Sequence, residues 1–257
     1  MHETSRHAQT HTMENIMNRP CRLLAALFAA MFLTACETRR ADDYALDEIE
    51  AEMTLSFDED SRVKARVRLR PEGEAGVYLM LDEKDAIELR VGGKLAPMEE
   101  ESLLGMVAYE ARIDRVRAES LAEVSLRREI DGLETVSAVY LPAPVAYLMA
   151  SSDEVSRAEP LTLWWDLPAR ALDNLTLRVT GACIYDYQRA LSPTDRTVTI
   201  EANELVEVAW ENPAAAMPSC EITATIEGSR AGLLDPAFGG GNITAYSETS
   251  IALVSTR

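Results

Sequence analysis

Histidine is nearly missing from this 257-residue chain: His2, His7 and His11 are the only three, and nothing after residue 11 carries an imidazole. A body without histidine has no Ser-His-Asp or Cys-His catalytic pair, no imidazole ligand for zinc or copper, and no imidazole proton shuttle. Lysine is scarce as well, with Lys64, Lys84 and Lys94 the only ones, so cationic chemistry falls to arginine. No two of the four cysteines stand in Cys-x-x-Cys spacing, the pattern of a redox-active pair. The longest apolar run, residues 23–35, covers about 13 positions, against the roughly 20 a spanning helix needs. Phe238-Gly239-Gly240-Gly241-Asn242 lacks the Lys-Ser/Thr of a phosphate-binding loop and reads as a flexible turn or a tip of the second half.

What is present begins with that apolar run. It stands behind Arg19 and Arg22 and closes in Leu33-Thr34-Ala35-Cys36, followed at once by Glu37-Thr38-Arg39-Arg40. A short apolar stretch behind a positive flank is the hydrophobic region of a signal peptide. The junction resembles the lipobox of bacterial lipoproteins, in which a Leu, a small residue and Ala precede the lipidated cysteine. The resemblance implies export, removal of residues 1–35 (translation starting at Met1, Met13 or Met17), and acyl chains on Cys36. In that family an Asp after the cysteine marks inner-membrane retention; Glu37 therefore implies the periplasmic face of the outer membrane. One acyl chain binds marginally and several hold firmly, so the membrane is an expected partner through the lipid anchor.

Residues 1–35 hold three basic and two acidic side chains out of totals of 25 and 43, which leaves 22 basic, 41 acidic and a formal charge of −19. Such a charge opposes nucleic-acid binding. With Cys21 in the signal and Cys36 acylated, Cys183 and Cys220 remain as an even pair in an oxidising compartment, and a disulfide between them is expected.

Beyond Cys36 the pattern is all-β. Residues 36–48 read as the lipidated cysteine and a charged, mobile tether. Met53, Leu55 and Phe57 alternate, Asp58-Glu59-Asp60-Ser61 turns the chain, and Val63, Ala65, Val67 and Leu69 alternate with cations. More strands are predicted at 77–81, 87–91, 107–113, 121–126 and 136–140, with a short helix an option at 99–104. Leu141-Pro142-Ala143-Pro144 suits a boundary, since proline stiffens a connection and is excluded from central strands. A second series follows at 161–165, 175–180, 197–200, 205–210, 221–226, 243–246 and 250–254. The expected fold is two immunoglobulin-like or fibronectin-like β-sandwich domains in tandem, residues 49–141 and 145–257, with one continuous sandwich as the alternative.

Two features stand out as candidate partner-binding residues. On a strand, Leu161, Leu163 and Trp165 share one face and Thr162, Trp164 and Asp166 the other, so Trp165 reads as core. Trp164 is then available to stack on a sugar ring, dock a partner or pack on the other domain. Trp210, in register with Val206 and Val208, also reads as core. The second feature is Arg62, Lys64, Arg66, Arg68 and Arg70, five cations on one strand face of an acidic protein, suited to an acidic partner or to pairing with neighbouring acidic strands. Asp58-Glu59-Asp60 and Asp82-Glu83-Lys84-Asp85 carry the oxygens calcium takes, but match no EF-hand loop and sit where hairpin turns belong. No cofactor or catalytic residue is assigned. The expectation is a non-enzymatic lipoprotein that binds or supports an envelope protein, with a glycan-binding module second and a carboxylate-dependent hydrolase third.

Overall fold

The computed structural model describes residues 37–58, 60–168, 171–208 and 219–256. Residues 1–35, read above as a signal peptide, lie outside the described residues, as do Cys36, Glu59 and Trp210.

The described chain is all-β. In order the strands are β1 (Glu37–Arg40), β2 (Ile49–Phe57), β3 (Val63–Pro71), β4 (Val77–Met80), β5 (Ala86–Val91) and β6 (Lys94–Pro97). Then come β7 (Glu99–Leu103), β8 (Met106–Ile113), β9 (Leu121–Arg128), β10 (Leu133–Tyr140), β11 (Ala146–Ala150) and β12 (Glu154–Ser156). The last six are β13 (Leu161–Asp166), β14 (Asn174–Gly181), β15 (Tyr187–Leu191), β16 (Thr197–Ile200), β17 (Ser219–Ala231) and β18 (Gly240–Thr256).

Two hydrophobic cores form, and one large sheet serves both. Its order is β15-β14-β17-β18-β2-β3-β8-β7, with β12 added beside β18. Over the first core the facing sheet is β10-β9-β5-β6, and over the second it is β11-β13-β16. Alternation decides which residues enter. β2 buries Ile49, Ala51, Met53, Leu55 and Phe57, and β3 buries Val63, Ala65, Val67 and Leu69, while the residues between point to water. Leu89, Val91, Ala122 and Val124 answer from the facing sheet.

The C-terminal hairpin crosses between the cores. β18 pairs with β17 from Thr244 to Thr256, while on its other edge residues 240–247 run parallel to β2 and Val254–Thr256 parallel to β12. Accordingly Ile243 and Ala245 belong to the first core, and Leu253, with Ile222, Ala224 and Ile226 of β17, to the second. The segments predicted at 243–246 and 250–254 are thus one strand of 17 residues. Its polar middle breaks nothing, because Ser247 is buried and the Thr249 hydroxyl donates to the Val145 carbonyl, 2.8 Å away, at the seam.

Three other expectations need correction. Residues 37–48 are not a mobile tether. β1 pairs in parallel with β4, and Ala41 and Leu46 are buried in the first core. The fully buried Arg128 guanidinium donates to the carbonyls of Ala41 and Tyr44 at 3.1 and 3.0 Å, fastening the same segment. Residues 99–103 form an edge strand and not a helix, because a turn at Leu104-Gly105 folds them against β8. The glycine-rich run is not a tip of the second half: a Cβ at Gly241, whose φ is +110°, would lie 2.0 Å from the Ala51 carbonyl oxygen. Glycine there allows β18 to lie against β2. Of the strand predicted at 205–210, the described part makes only an isolated bridge between Glu207 and Ile184.

Cys183 and Cys220 are disulfide-bonded, their Cα atoms 5.9 Å apart and 37 residues apart in sequence. The bond ties the end of β14 to the start of β17. Arg157 Nη1 lies 3.5 Å from Cys183 Sγ and donates to Ser255 Oγ at 3.0 Å, closing that end of the second core.

Candidate interaction surface

The sheet β11-β13-β16 presents Trp164 outward. Trp165, one residue on, is 2 % exposed in the second core, while Trp164 is 37 % exposed. Strand register sets its neighbours. Met149 of β11 stands directly opposite on one side and Thr197 of β16 on the other. Met149 is itself 48 % exposed, and Tyr147, whose φ is +54°, is 76 % exposed. A bulge in β11 between Ala146 and Met149 re-aims this strand. Next along the face the hydroxyls of Thr162 and Thr199 hydrogen-bond at 3.1 Å, and Arg196 lies 3.9 Å from Asp166. The result is an indole with an apolar neighbour, rimmed by hydroxyls and an exposed ion pair.

The cationic strand is a different kind of surface. Lys64, Arg66, Arg68 and Arg70 share the outer face of β3, whereas Arg62 sits in the preceding turn and pairs with Asp58 at 2.8 Å and with Asp60 at 2.5 Å. β3 is central in its sheet, and acidic partners lie on both sides. Glu110 of β8 takes Lys64 at 2.8 Å and Arg66 at 3.0 Å, while Glu52 of β2 lies 3.8 Å from both Arg68 and Arg70. Arg70 also approaches Glu50 at 3.9 Å. Such half-exposed pairs are worth roughly 0–1 kcal/mol each. They largely neutralise the cations, and the face becomes a charge ladder instead of a positive patch.

The acidic clusters do turn work. The Asp58 carboxylate accepts the Arg62 N–H at 3.0 Å, and Asp82 and Asp85 accept the N–H groups of Lys84 and Glu129 at 3.2 and 2.9 Å. Among the described residues no group of three or more His, Cys, Asp or Glu side chains is placed to hold a metal ion. A groove of about 620 Å³ has Asp82, Asp85, Glu100 and Tyr109 in its lining. Burial pushes the Tyr109 phenol up to about 12, and its oxygen accepts the Leu81 N–H at 2.7 Å. On the outer face of the shared sheet, burial and the cross-strand neighbour Glu248 push Glu227 above its ordinary range, with Arg178 pulling the other way.

The Trp164–Met149 pair was not visible in sequence, because it depends on strand register. No family model matches the chain, and no curated protein matches it. Among solved structures it is similar to a two-domain fibronectin type III segment of chicken tenascin, at 9 % identity and a TM-score of 0.28, covering 80 % of this chain and 98 % of that one. The strand order and the two cores carry the fold description by themselves. No helix among the described residues is long and apolar enough to cross a membrane.

Proposed function

We propose that this chain is a non-enzymatic lipoprotein of the cell envelope, anchored through Cys36 at the periplasmic face of the outer membrane, that works by binding a protein partner through the Trp164 face. The observation that carries the binding mode is the exposed Trp164–Met149 pair on adjacent strands of one sheet. Tryptophan, tyrosine and methionine are enriched at the centres of protein interfaces, and a polar rim is the usual surround. The anchor rests on the lipobox residues 33–36. Lys64, Arg66, Arg68 and Arg70 are not the contact centre, since these cations already have acidic partners.

A glycan is the second reading, favoured by the hydroxyls of Thr162, Thr197 and Thr199 around the indole. Site-specific photo-crosslinking from position 197 in living cells separates the two. The protein reading expects one discrete protein adduct that disappears on Trp164→Ala. A glycan adduct, or a protein adduct indifferent to Trp164→Ala, would overturn it.

A further inference from the structure

We propose that the β7–β8 hairpin tip, residues 103–106, is a second membrane contact: a small apolar plug that enters the lipid surface beside the anchor. This rests on the reading of Cys36 as lipidated.

The tip breaks two local rules at once. Leu104 has a φ of +53° and Gly105 of +80°, a two-residue hairpin turn with both central residues in the left-handed region. Asn-Gly or Asp-Gly suits that turn, because a short polar side chain tolerates positive φ and a bulky apolar one does not. Leucine stands there nonetheless, and it is not tucked into a core. Leu104 is 82 % exposed, more than any other large hydrophobic side chain among the described residues, with Leu103 at 68 % and Met106 at 37 % beside it. A residue that opposes its own turn and buries nothing contributes nothing to folding that asparagine would not provide. Such double violations mark function.

Position identifies the occupant. The Thr38 hydroxyl donates to the Gly105 carbonyl at 3.0 Å, so the tip is bonded to the start of the fold. Cys36 precedes Thr38 by two residues, a span of about 7 Å at full extension. Because β1 is docked on β4 and not free, acyl chains on Cys36 bring the bilayer to this end of the molecule. Three apolar side chains are far too few for a stable protein–protein interface, but they suit shallow insertion that adds to a covalent lipid. Glu99, Glu100 and Glu101 precede the tip on β7, all exposed. At about 3.4 Å per residue, Glu101 lies about 7 Å behind Leu103, which limits insertion to the headgroup boundary. These carboxylates also favour a zwitterionic surface over an anionic one.

The test uses the full processed lipoprotein carrying Leu104→Cys, labelled with an environment-sensitive dye. The Cys183–Cys220 disulfide and an acylated Cys36 leave no competing thiol. Tyr147→Cys, in the second half, is the control. Both are reconstituted in phosphatidylcholine/phosphatidylethanolamine vesicles and quenched with iodide from the water or with shallow nitroxide lipids. At position 104 iodide quenching is expected to fall at least threefold on reconstitution while nitroxide quenching appears; at position 147 neither changes. Intact mass reports the anchor separately. An acylated Cys36 with position 104 still open to iodide overturns the plug and leaves the anchor reading standing. An unacylated Cys36 removes both. Protection that appears only with added envelope protein, without nitroxide quenching, assigns the tip to a protein and overturns the proposal.

Discussion

Replacing both bridged cysteines with alanine, Cys183→Ala with Cys220→Ala, tests how far the second core depends on its cross-link. The bond closes 37 residues of sequence separation, and the chain-entropy relation gives about 4 kcal/mol for a loop of that size. At about 2–4 °C per kcal/mol for a body of this length, the unfolding midpoint should fall by about 8–15 °C. The effect should be global and not local. Cys183 is fully buried, Cys220 pairs with Ser255 of β18, and β18 runs on into the first core. Arg157→Met serves as a companion, since it removes the contacts to Cys183 Sγ and Ser255 Oγ without opening the loop. The assay is thermal unfolding of residues 37–257 by far-ultraviolet circular dichroism, with and without reductant, and thiol titration in denaturant to verify the bond. The reasoning is refuted if the wild type shows no free thiols and yet the double variant melts within about 3 °C of it.

Two further outcomes follow from burial. Trp165→Ala should cost about 3–5 kcal/mol and Trp164→Ala under about 1 kcal/mol, read by urea unfolding; equal costs would mean that the two faces of β13 are misassigned. Tyr109 should ionise late, near pH 12. Its folded-state value lies above the unfolded value of about 10, so its contribution to stability is complete below pH 10 and is lost between about 10 and 12. Ultraviolet titration of Tyr109→Phe should lack that late component, and its persistence would assign the late ionisation elsewhere.

The parts of the fold legible in sequence are those where one face is apolar and the other charged. β3 is the clearest case: its alternation put Val63, Ala65, Val67 and Leu69 inside, where they are buried. The core position of Trp165 was legible for a similarly local reason, and the Cys183–Cys220 bond by elimination among four cysteines. β7 was not, because all five of its residues are exposed and a strand with no buried face has no period to read. Its glutamates also favour helix in isolation. Residues 37–48 hid their docking, since it rests on main-chain pairing with β4 and on three side chains without a strand period, Ala41 and Leu46 buried and Tyr44 packed beside them. The Trp164–Met149 and Thr38–Gly105 contacts depend on register and topology, which composition does not encode.

The parallel pairing of β18 with β2 joins residues such as Gly240 and Glu50, nearly the full length of the described chain apart. Contacts so distant in sequence form late, because the loop between them must first be closed. A chain emerging from its amino end therefore exposes β2 with one edge unpaired until the 17 residues of β18 arrive. The first sandwich cannot finish before the second is nearly complete, so the two halves mature together. During synthesis that open edge is the stretch most in need of a chaperone's cover.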